Sequence, residues 1–219
     1  NLPPQVQAPV PAQSSLDGNT VSIAIGGVFA DPNPGDVLTI SATGLPPGLA
    51  YNTVTRAIEG TLAPDASQHA GPYVVVLTAN DGRGGTVTST FDLSVGNPVP
   101  IAVADTNAVT EHGTTTGAVL ANDRDGGLDR DLLTVTQVNG AAFTAGRPIT
   151  LPSGASLTLN ANGTYGYSPN GAFNGLAVGQ TATDSFTYQV ADGQGGFATA
   201  TVTLTITGQN DAPVIVDPV

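Results

Sequence analysis

Apolar and polar residues alternate with a period of two along most of the chain. Residues 86–95 place Val, Phe and Leu side chains on one face and Thr, Ser and Asp on the other, and residues 198–207 repeat the alternation. This period is typical of a strand with one face on a core and one in solvent. Thr is β-branched and suits the solvated face. We find no convincing helical period, so the pattern predicts an all-β protein.

Further strands are predicted between turn signals along the chain. They cover residues 21–25, 37–42, 73–79, 132–138, 156–159, 164–168 and 185–190. Asp-Gly and Asn-Gly pairs follow several of them, at Asp81, Asn139, Asn162 and Asp192, and such pairs favour tight hairpin turns. Many short strands at this spacing indicate an antiparallel sandwich or barrel. We expect two tandem Ig-like or cadherin-like Greek-key β-sandwich domains.

A diverged internal repeat sets the number of domains. The string NDGRGGTVTSTFDLSV at residues 80–95 aligns with ADGQGGFATATVTLTI at residues 191–206, which indicates two copies of one architecture. Asn-Pro-rich joints begin at Asn1, Asn97 and Asn210. We therefore predict domains over residues 1–97 and 98–210, with residues 211–219 beginning a linker to a following module. The second copy is longer, which predicts an added hairpin around residues 149–169.

Composition narrows the classes of function. The chain has 219 residues, 17 acidic and five basic side chains, a net charge of −12 and no Cys. The absence of Cys excludes disulfides, thiolate metal sites and cysteine nucleophiles. The negative charge argues against nucleic acid and anionic membranes as partners. We see no transmembrane run and no signal peptide, and the chain begins as an excised fragment would. Cations are the favoured partners.

Acidic loops precede each copy of the repeated hairpin, FADPNPGDVLTI at residues 29–40 and LANDRDGGLDRDLLTV at residues 120–135. In a Greek-key sandwich this loop, the last hairpin and the incoming linker share one pole. The oxygens expected to converge there are those of Asn1, Asp31, Asn33, Asp36 and Asp81 in the first domain, and of Asn97, Asp105, Asp123, Asp125, Asp131 and Asp192 in the second.

So many carboxylates at one pole would repel one another unless a cation lies among them. All-oxygen ligands in flexible geometry favour Ca²⁺ over Mg²⁺. The alternative is that Asp-Gly and Asp-Pro occur here only because they form turns; the recurrence of the whole pattern favours calcium. Asp129 fits less well because the loop is lengthened beside it, and Arg124 and Arg130 would weaken the site by neutralising its charge.

Longer motifs carry a family resemblance over nearly the whole chain. Residues 29–51, with IEGTLAP and VVVLTANDGRGG, resemble the dystroglycan-type cadherin-like repeat of bacterial surface proteins. VLANDRDGG, LTVTQVNG, GTYGYSPNGAFNGLAVGQTATDSFTYQVADGQGG and NDAP resemble a VCBS or bacterial cadherin-like repeat. The resemblance implies immunoglobulin-like sandwiches with calcium at module junctions, within large secreted RTX-type adhesins of Gram-negative bacteria. Asn33 and Pro34 depart from the family's acidic loop.

The function implied is mechanical: a calcium-rigidified spacer or adhesion module, outside the cell, in cell adhesion and biofilm. Its partners would be neighbouring repeats. The alternative is a calcium-dependent lectin, because similar modules of rhizobial adhesins are associated with exopolysaccharide, and Tyr165 with Tyr167 would be its exposed stacking platform. Homophilic adhesion lacks a marker such as an exposed Trp. We expect no enzymatic activity, because His69 and His112 belong to no recognisable catalytic motif.

Overall fold

The computed structural model describes residues 1–128 and 130–211. They form two compact units, one made of residues 1–98 and 126–131 and the other of residues 99–125 and those from 132 onward. We call them unit 1 and unit 2 and describe each by itself. The boundaries at residues 97 and 210 given by the sequence stay a prediction.

Unit 1 is a sandwich of a four-stranded and a three-stranded sheet. Its strands are β1 (Gln5–Val6), β2 (Gln13–Leu16), β3 (Thr20–Ala24), β4 (Phe29–Ala30), β5 (Thr39–Thr43), β6 (Leu49–Asn52), β7 (Ala57–Thr61), β8 (Tyr73–Asn80) and β9 (Thr86–Gly96). The sheets run β2-β9-β8-β5 and β3-β7-β6, and β1 pairs with β4 at the side. The first main strand, β2, lies parallel to the last, β9, and the other pairs are antiparallel.

Alternation along these strands builds the core of unit 1. Val75, Leu77 and Ala79 of β8 are fully buried, whereas Val74, directly before them, is exposed on the opposite face. They pack with Ile58 of β7 and other inward-facing residues of both sheets. A single turn of 3₁₀-helix, Ala66–Gln68, precedes β8. It is too short to change the all-β class that the period predicts.

Unit 2 repeats this order with one more strand in each sheet. Its strands are β10 (Asp105–Thr110), β11 (Thr115–Ala118), β12 (Thr134–Val138), β13 (Ala141–Ala142), β14 (Pro148–Thr150), β15 (Ser156–Leu159), β16 (Thr164–Ser168), β17 (Thr181–Ala191) and β18 (Phe197–Thr207). The sheets run β10-β18-β17-β12-β13 and β11-β16-β15-β14. Again the first strand is parallel to the last. Phe186, Tyr188, Val202, Leu204 and other inward residues form the core.

The extra length of unit 2 is used differently from the prediction. The expected added hairpin at residues 149–169 begins in the added strand β14, but most of it is β15 and β16, which occupy the places of β6 and β7 in unit 1. The added strands are β13 and β14, each at the edge of its sheet. Unit 2 is broader, as predicted, but the prediction located only one of its two added strands, because sequence length alone does not say which strands pair. Within the described residues, no helix is long and apolar enough to cross a membrane.

Candidate metal centre

The last hairpin of unit 1 folds the carboxylate of Asp81 back onto its own turn. Asp81 Oδ1 accepts hydrogen bonds from the backbone N–H of Arg83 at 2.7 Å and of Gly85 at 2.9 Å. A Cβ on Gly85 would overlap Asp81 Oδ2 and would lie 2.9 Å from Cα of Pro3. The glycine therefore lets the carboxylate lie against the N-terminal segment of the chain.

Hydrogen bonds tie that N-terminal segment to the acidic loop. The side-chain amide of Asn1 donates to Asp81 Oδ2 at 2.7 Å. The N–H of Leu2 donates to Asn33 Oδ1 at 2.7 Å, and the N–H of Asn33 donates to Asp31 Oδ1 at 2.7 Å. The bond from Asn1, followed by that from Arg83, holds the pKa of Asp81 below its ordinary value. The structure thus brings Asn1, Asp31, Asn33 and Asp81 to one pole.

Asp36 forms an ion pair with Arg83 of the last hairpin, a contact that the sequence analysis missed. The guanidinium of Arg83 lies 3.1 Å from Asp36 Oδ1 and is 65% exposed, whereas the Asp36 side chain is 3% exposed. Among residues 1–128 and 130–211, neither Asp31 Oδ2 nor Asp36 Oδ2 has a hydrogen-bond partner, although both atoms are buried. Buried carboxylate oxygens require a compensating charge or donor. This donor set therefore fits a hard cation such as Ca²⁺.

Unit 2 builds the same hairpin with Asp192 in place of Asp81. Asp192 Oδ1 accepts from the N–H of Gln194 at 2.8 Å and of Gly196 at 2.9 Å. A Cβ on Gly196 would overlap Asp192 Oδ2 and lie 2.8 Å from Pro100 Cδ. Gln194 stands where unit 1 has Arg83. The unit 2 hairpin therefore carries no guanidinium at this position.

A buried tyrosine hydroxyl joins the acidic loop of unit 2 to its first strand. The Tyr188 hydroxyl lies 2.9 Å from Asp123 Oδ2, 3.1 Å from Asp123 Oδ1 and 3.3 Å from Asp105 Oδ2. It also lies 3.2 Å from the carbonyl oxygen of Val103 and 3.0 Å from that of Val119. A hydroxyl has one proton to donate. Five oxygens therefore surround a group that can satisfy only one of them by donation.

The charges at this pole are unfavourable without a cation. Burial, and then the charge of Asp123, raise the pKa of Asp105. Burial and the hydrogen bond to Asp123 likewise raise the pKa of Tyr188, so the hydroxyl stays neutral. Both carboxylate oxygens of Asp125 are buried without a hydrogen-bond partner in the described part of the chain. These residues, too, fit a hard cation.

Two other predicted residues, Asn97 and Asp131, are not part of this set. Asn97 and Asp131 belong to unit 1, whereas Asp123, Asp125 and Asp192 belong to unit 2. The joint site of all five, with Asp105, therefore stays a prediction. Asp129 lies outside the described residues.

The predicted stacking platform is wrong. Tyr165 is 5% exposed and Tyr167 is 1% exposed. The Tyr165 ring packs edge-on against Phe186, and the Tyr167 hydroxyl donates to Asp184 at 2.7 Å. Both side chains point into the sandwich because alternate residues of β16 face the core. Sequence alternation identified their common face but not which side of the sheet it lies on.

The sequence analysis also missed a buried acid at the other pole of each unit. Asp17 follows β2 and is fully buried, and Glu111 follows β10 and is 1% exposed. The N–H of Asp17 donates to the carbonyl oxygen of Gly96, and the N–H of Glu111 donates to that of Thr207. Both acceptors lie at the end of the last strand of their unit. The sequence offered little signal for these acids, because QSSL and DTNAVT, which form β2 and β10, do not alternate apolar and polar residues.

Glu111 belongs to the tightest group of ligand-bearing side chains in the part of the chain that the structure describes. One ligand atom each from Glu111, His112 and Asp211 lie within 4.8 Å of one another. The carboxylates at the two loop poles do not meet this distance in threes among the same residues. The group lies wholly within unit 2.

Comparison with known sequences agrees with this architecture. Residues 97–208 match the profile of the bacterial cadherin-like domain. The chain belongs to the bacterial cadherin-like domain family. Residues 3–96 of this cadherin-like chain match the He_PIG profile, which describes an Ig domain. The tandem of cadherin-like and Ig-like modules expected from the sequence is thereby confirmed.

Similar proteins are known as sequences and as structures. The calcium-binding lectin RapA2 of Rhizobium johnstonii is 33% identical over 141 residues, which cover 59% of the cadherin-like chain and 56% of RapA2. The chain thus spans about half the length of that relative. Mouse cadherin-23 EC22-24 is 16% identical over 95% of the chain and 67% of its own, with a TM-score of 0.40. The immunoglobulin domains 1-5 of Sidekick-1 give 16% identity over 94% of the chain and 40% of their own, with a TM-score of 0.41.

Proposed function

We propose that this chain is a calcium-binding pair of modules from a large secreted or surface-exposed bacterial adhesin. Calcium binds at the loop pole of each unit and stiffens the chain there. The observation that carries the proposal is the set of buried carboxylate oxygens without hydrogen-bond partners, in Asp31, Asp36 and Asp125, among residues 1–128 and 130–211. The similarity of the chain to a calcium-binding lectin supports calcium as the ion.

The link between calcium and stiffness runs through the segment that enters each unit. In unit 1 this segment is held to the pole by the bonds from Asn1 to Asp81 and from Leu2 to Asn33. An ion among these oxygens would fix the same segment more firmly. At 100-fold excess over its dissociation constant, one bound ion adds about 2.7 kcal/mol to the stability of the fold. Extracellular modules bind calcium at about 0.1–1 mM, so the stiffening would follow secretion.

The test compares the chain in calcium and in chelator. Calorimetric titration should show calcium binding, and scanning calorimetry should show a higher melting temperature with calcium than with equal ionic strength of Mg²⁺. Solution scattering should show a longer maximum dimension in calcium. Asp123→Ala and Asp192→Ala should each weaken binding in unit 2. An unchanged melting temperature together with an unchanged maximum dimension would contradict the proposal.

A second candidate function is calcium-dependent glycan binding. Its support is a cleft of about 600 Å³ in unit 1, lined by Tyr51, Arg56, Asp31, Asn33, Asp36 and neighbouring loop residues. An aromatic ring beside a cation and polar side chains suits a polar ligand such as a sugar. Glycan-array binding that is lost in chelator and in Tyr51→Ala would favour this role over the spacer. No binding to any glycan would leave the mechanical role.

A further inference from the structure

Unit 2 contains four Asn-Gly pairs, which begin at Asn139, Asn162, Asn170 and Asn174. The backbone nitrogen that follows an asparagine can attack the side-chain carbonyl carbon, Cγ, of that asparagine. Glycine hinders this attack least because it has no Cβ. The attack also requires that the two groups be free to approach each other in the right geometry. The hydrogen bonds around each pair therefore decide which pair can react.

Hydrogen bonds restrain the side chains of two of these asparagines. Asn139 Oδ1 accepts the backbone N–H of Thr187 at 2.8 Å, which ties this side chain to the neighbouring strand β17. Asn170 Nδ2 donates to the carbonyl oxygen of Gly154 at 3.5 Å. A bond of that length is weak. Asn139 is therefore firmly held away from its own following nitrogen, and Asn170 is held less firmly.

The pair at Asn162 is restrained on both of its reacting groups. Asn162 Oδ1 accepts the N–H of Thr164 at 3.1 Å and the hydroxyl of Thr164 at 2.7 Å. The N–H of Gly163, which carries the attacking nitrogen, donates to the carbonyl oxygen of Asn160 at 2.9 Å. Gly163 is also buried. This pair cannot react until the turn that contains it opens.

The fourth pair, Asn174-Gly175, occupies the centre of an exposed turn. The N–H of Leu176 closes the turn by donating to the carbonyl oxygen of Phe173 at 3.1 Å. Among residues 1–128 and 130–211, neither the side-chain amide of Asn174 nor the N–H of Gly175 makes a hydrogen bond. Both residues are exposed, and nothing lies within 4 Å of the Cβ position of Gly175. Both reacting groups are therefore free.

We propose that Asn174 is a site of spontaneous covalent modification, converted to aspartate and isoaspartate through attack by the backbone nitrogen of Gly175. A bond forms between this nitrogen and Asn174 Cγ, and the bond from Cγ to Nδ2 breaks. Ammonia leaves, taking up the proton that the Gly175 nitrogen loses. Water then opens the resulting cyclic imide at either of its two carbonyl carbons. The reaction needs no enzyme, oxidant or metal.

The modification changes the turn between two side chains that anchor it. Phe173 and Leu176 pack against the core of unit 2 on either side of the pair. In isoaspartate the main chain runs through Cβ, which lengthens the turn, and both products add a negative charge. The melting temperature of unit 2 should therefore fall as the modified fraction rises.

The test incubates the whole folded chain at mildly alkaline pH, because the attacking nitrogen must lose its proton. Tandem mass spectrometry of proteolytic fragments locates the mass gain of an amide-to-acid conversion, and released ammonia gives its total. In the folded chain Asn174 should be modified first and Asn170 next, whereas Asn139 and Asn162 should stay intact. In urea all four should react at similar rates, because their hydrogen bonds are lost.

Gly175→Ala should slow the modification of Asn174 by at least about 10-fold, since a Cβ hinders the approach of the attacking nitrogen. The structure has room for this Cβ, and the φ of Gly175 lies outside the left-handed region, so the variant should fold. Gly166→Ala is the matched control: it adds the same group at another open position and should leave the rate unchanged.

Three results would overturn the proposal. They are an intact Asn174 in the folded chain after the chain in urea has reacted, modification of another Asn-Gly pair as fast as that of Asn174, and equal rates in the two alanine variants. None of these measurements involves calcium or a glycan, so this proposal and the proposed function can fail separately.

Discussion

The carboxylate of Asp192 lies directly over Gly196. Asp192 Oδ1 accepts the N–H of Gly196 at 2.9 Å, and Oδ2 occupies the space that a Cβ on Gly196 would need. Asp81 and Gly85 repeat the relationship in unit 1. Gly196 is therefore required for the close approach of a carboxylate rather than for an unusual backbone angle. The hairpin and the candidate metal centre depend on the same contact.

Gly196→Ala should both destabilise unit 2 and weaken its calcium binding. The added methyl group must displace the carboxylate or Pro100, whose Cδ lies 2.8 Å from the Cβ position, and such overpacking costs about 1–3 kcal/mol. Chemical denaturation and calcium calorimetry measure the two effects. Gly166→Ala is the control, since nothing lies within 4 Å of its Cβ position. Equal calcium affinity in both variants would contradict the role given to Asp192.

Tyr188→Phe should weaken calcium binding, because the hydroxyl positions Asp123 and Asp105. Tyr167→Phe is the matched control: it removes a buried hydroxyl that donates to Asp184 at 2.7 Å, away from the loop pole. Each loss should cost about 1–3 kcal/mol of stability, the range for leaving a buried partner unsatisfied. Only Tyr188→Phe should lower the calcium affinity in calorimetry. The same affinity in both variants would show that Tyr188 is a packing residue.

Arg83→Gln should tighten calcium binding in unit 1. The guanidinium competes with a cation for Asp36. Because the arginine end of the pair is 65% exposed, we take its contribution as about 1 kcal/mol or less and expect a gain of up to about fivefold. Gln194→Arg, the reciprocal change in unit 2, should weaken calcium binding there. Both effects should shrink in high salt. If neither variant changes the calcium titration, the charge at this hairpin position does not control the site.

Alkaline pH should destabilise the protein through its buried tyrosines. Burial raises the pKa of Tyr73, Tyr165, Tyr167 and Tyr188 above the ordinary value of 10.0. The folded state then holds protons that the unfolded state releases, so this stability is present below pH 10.0 and is lost as pH rises above it. Phenolate absorbance of the folded chain should therefore rise at higher pH than that of the denatured chain. Coincident titration curves would contradict the burial of these rings.

The sequence by itself determined the fold class and the repeat. A side-chain period of two, β-branched Thr on the alternate positions and Asp-Gly turns leave little alternative to antiparallel strands, and the repeated DGxGG hairpin required the same local structure twice. Most predicted strands were confirmed within a few residues; 185–190, for example, lies within Thr181–Ala191. The acids Asp31, Asp81, Asp125 and Asp192 were also identifiable, because they stand at turns beside glycine or proline.

Only the tertiary structure decided which oxygens meet and what opposes them. The contact of Arg83 with Asp36 and that of Tyr188 with Asp123 join residues far apart in sequence, and alternation does not reveal such pairs. The same limit explains Tyr165 and Tyr167: a period of two groups residues by face, but only packing against the second sheet fixes which face is buried. Glu111 was missed for this reason too, since its burial depends on where the last strand ends.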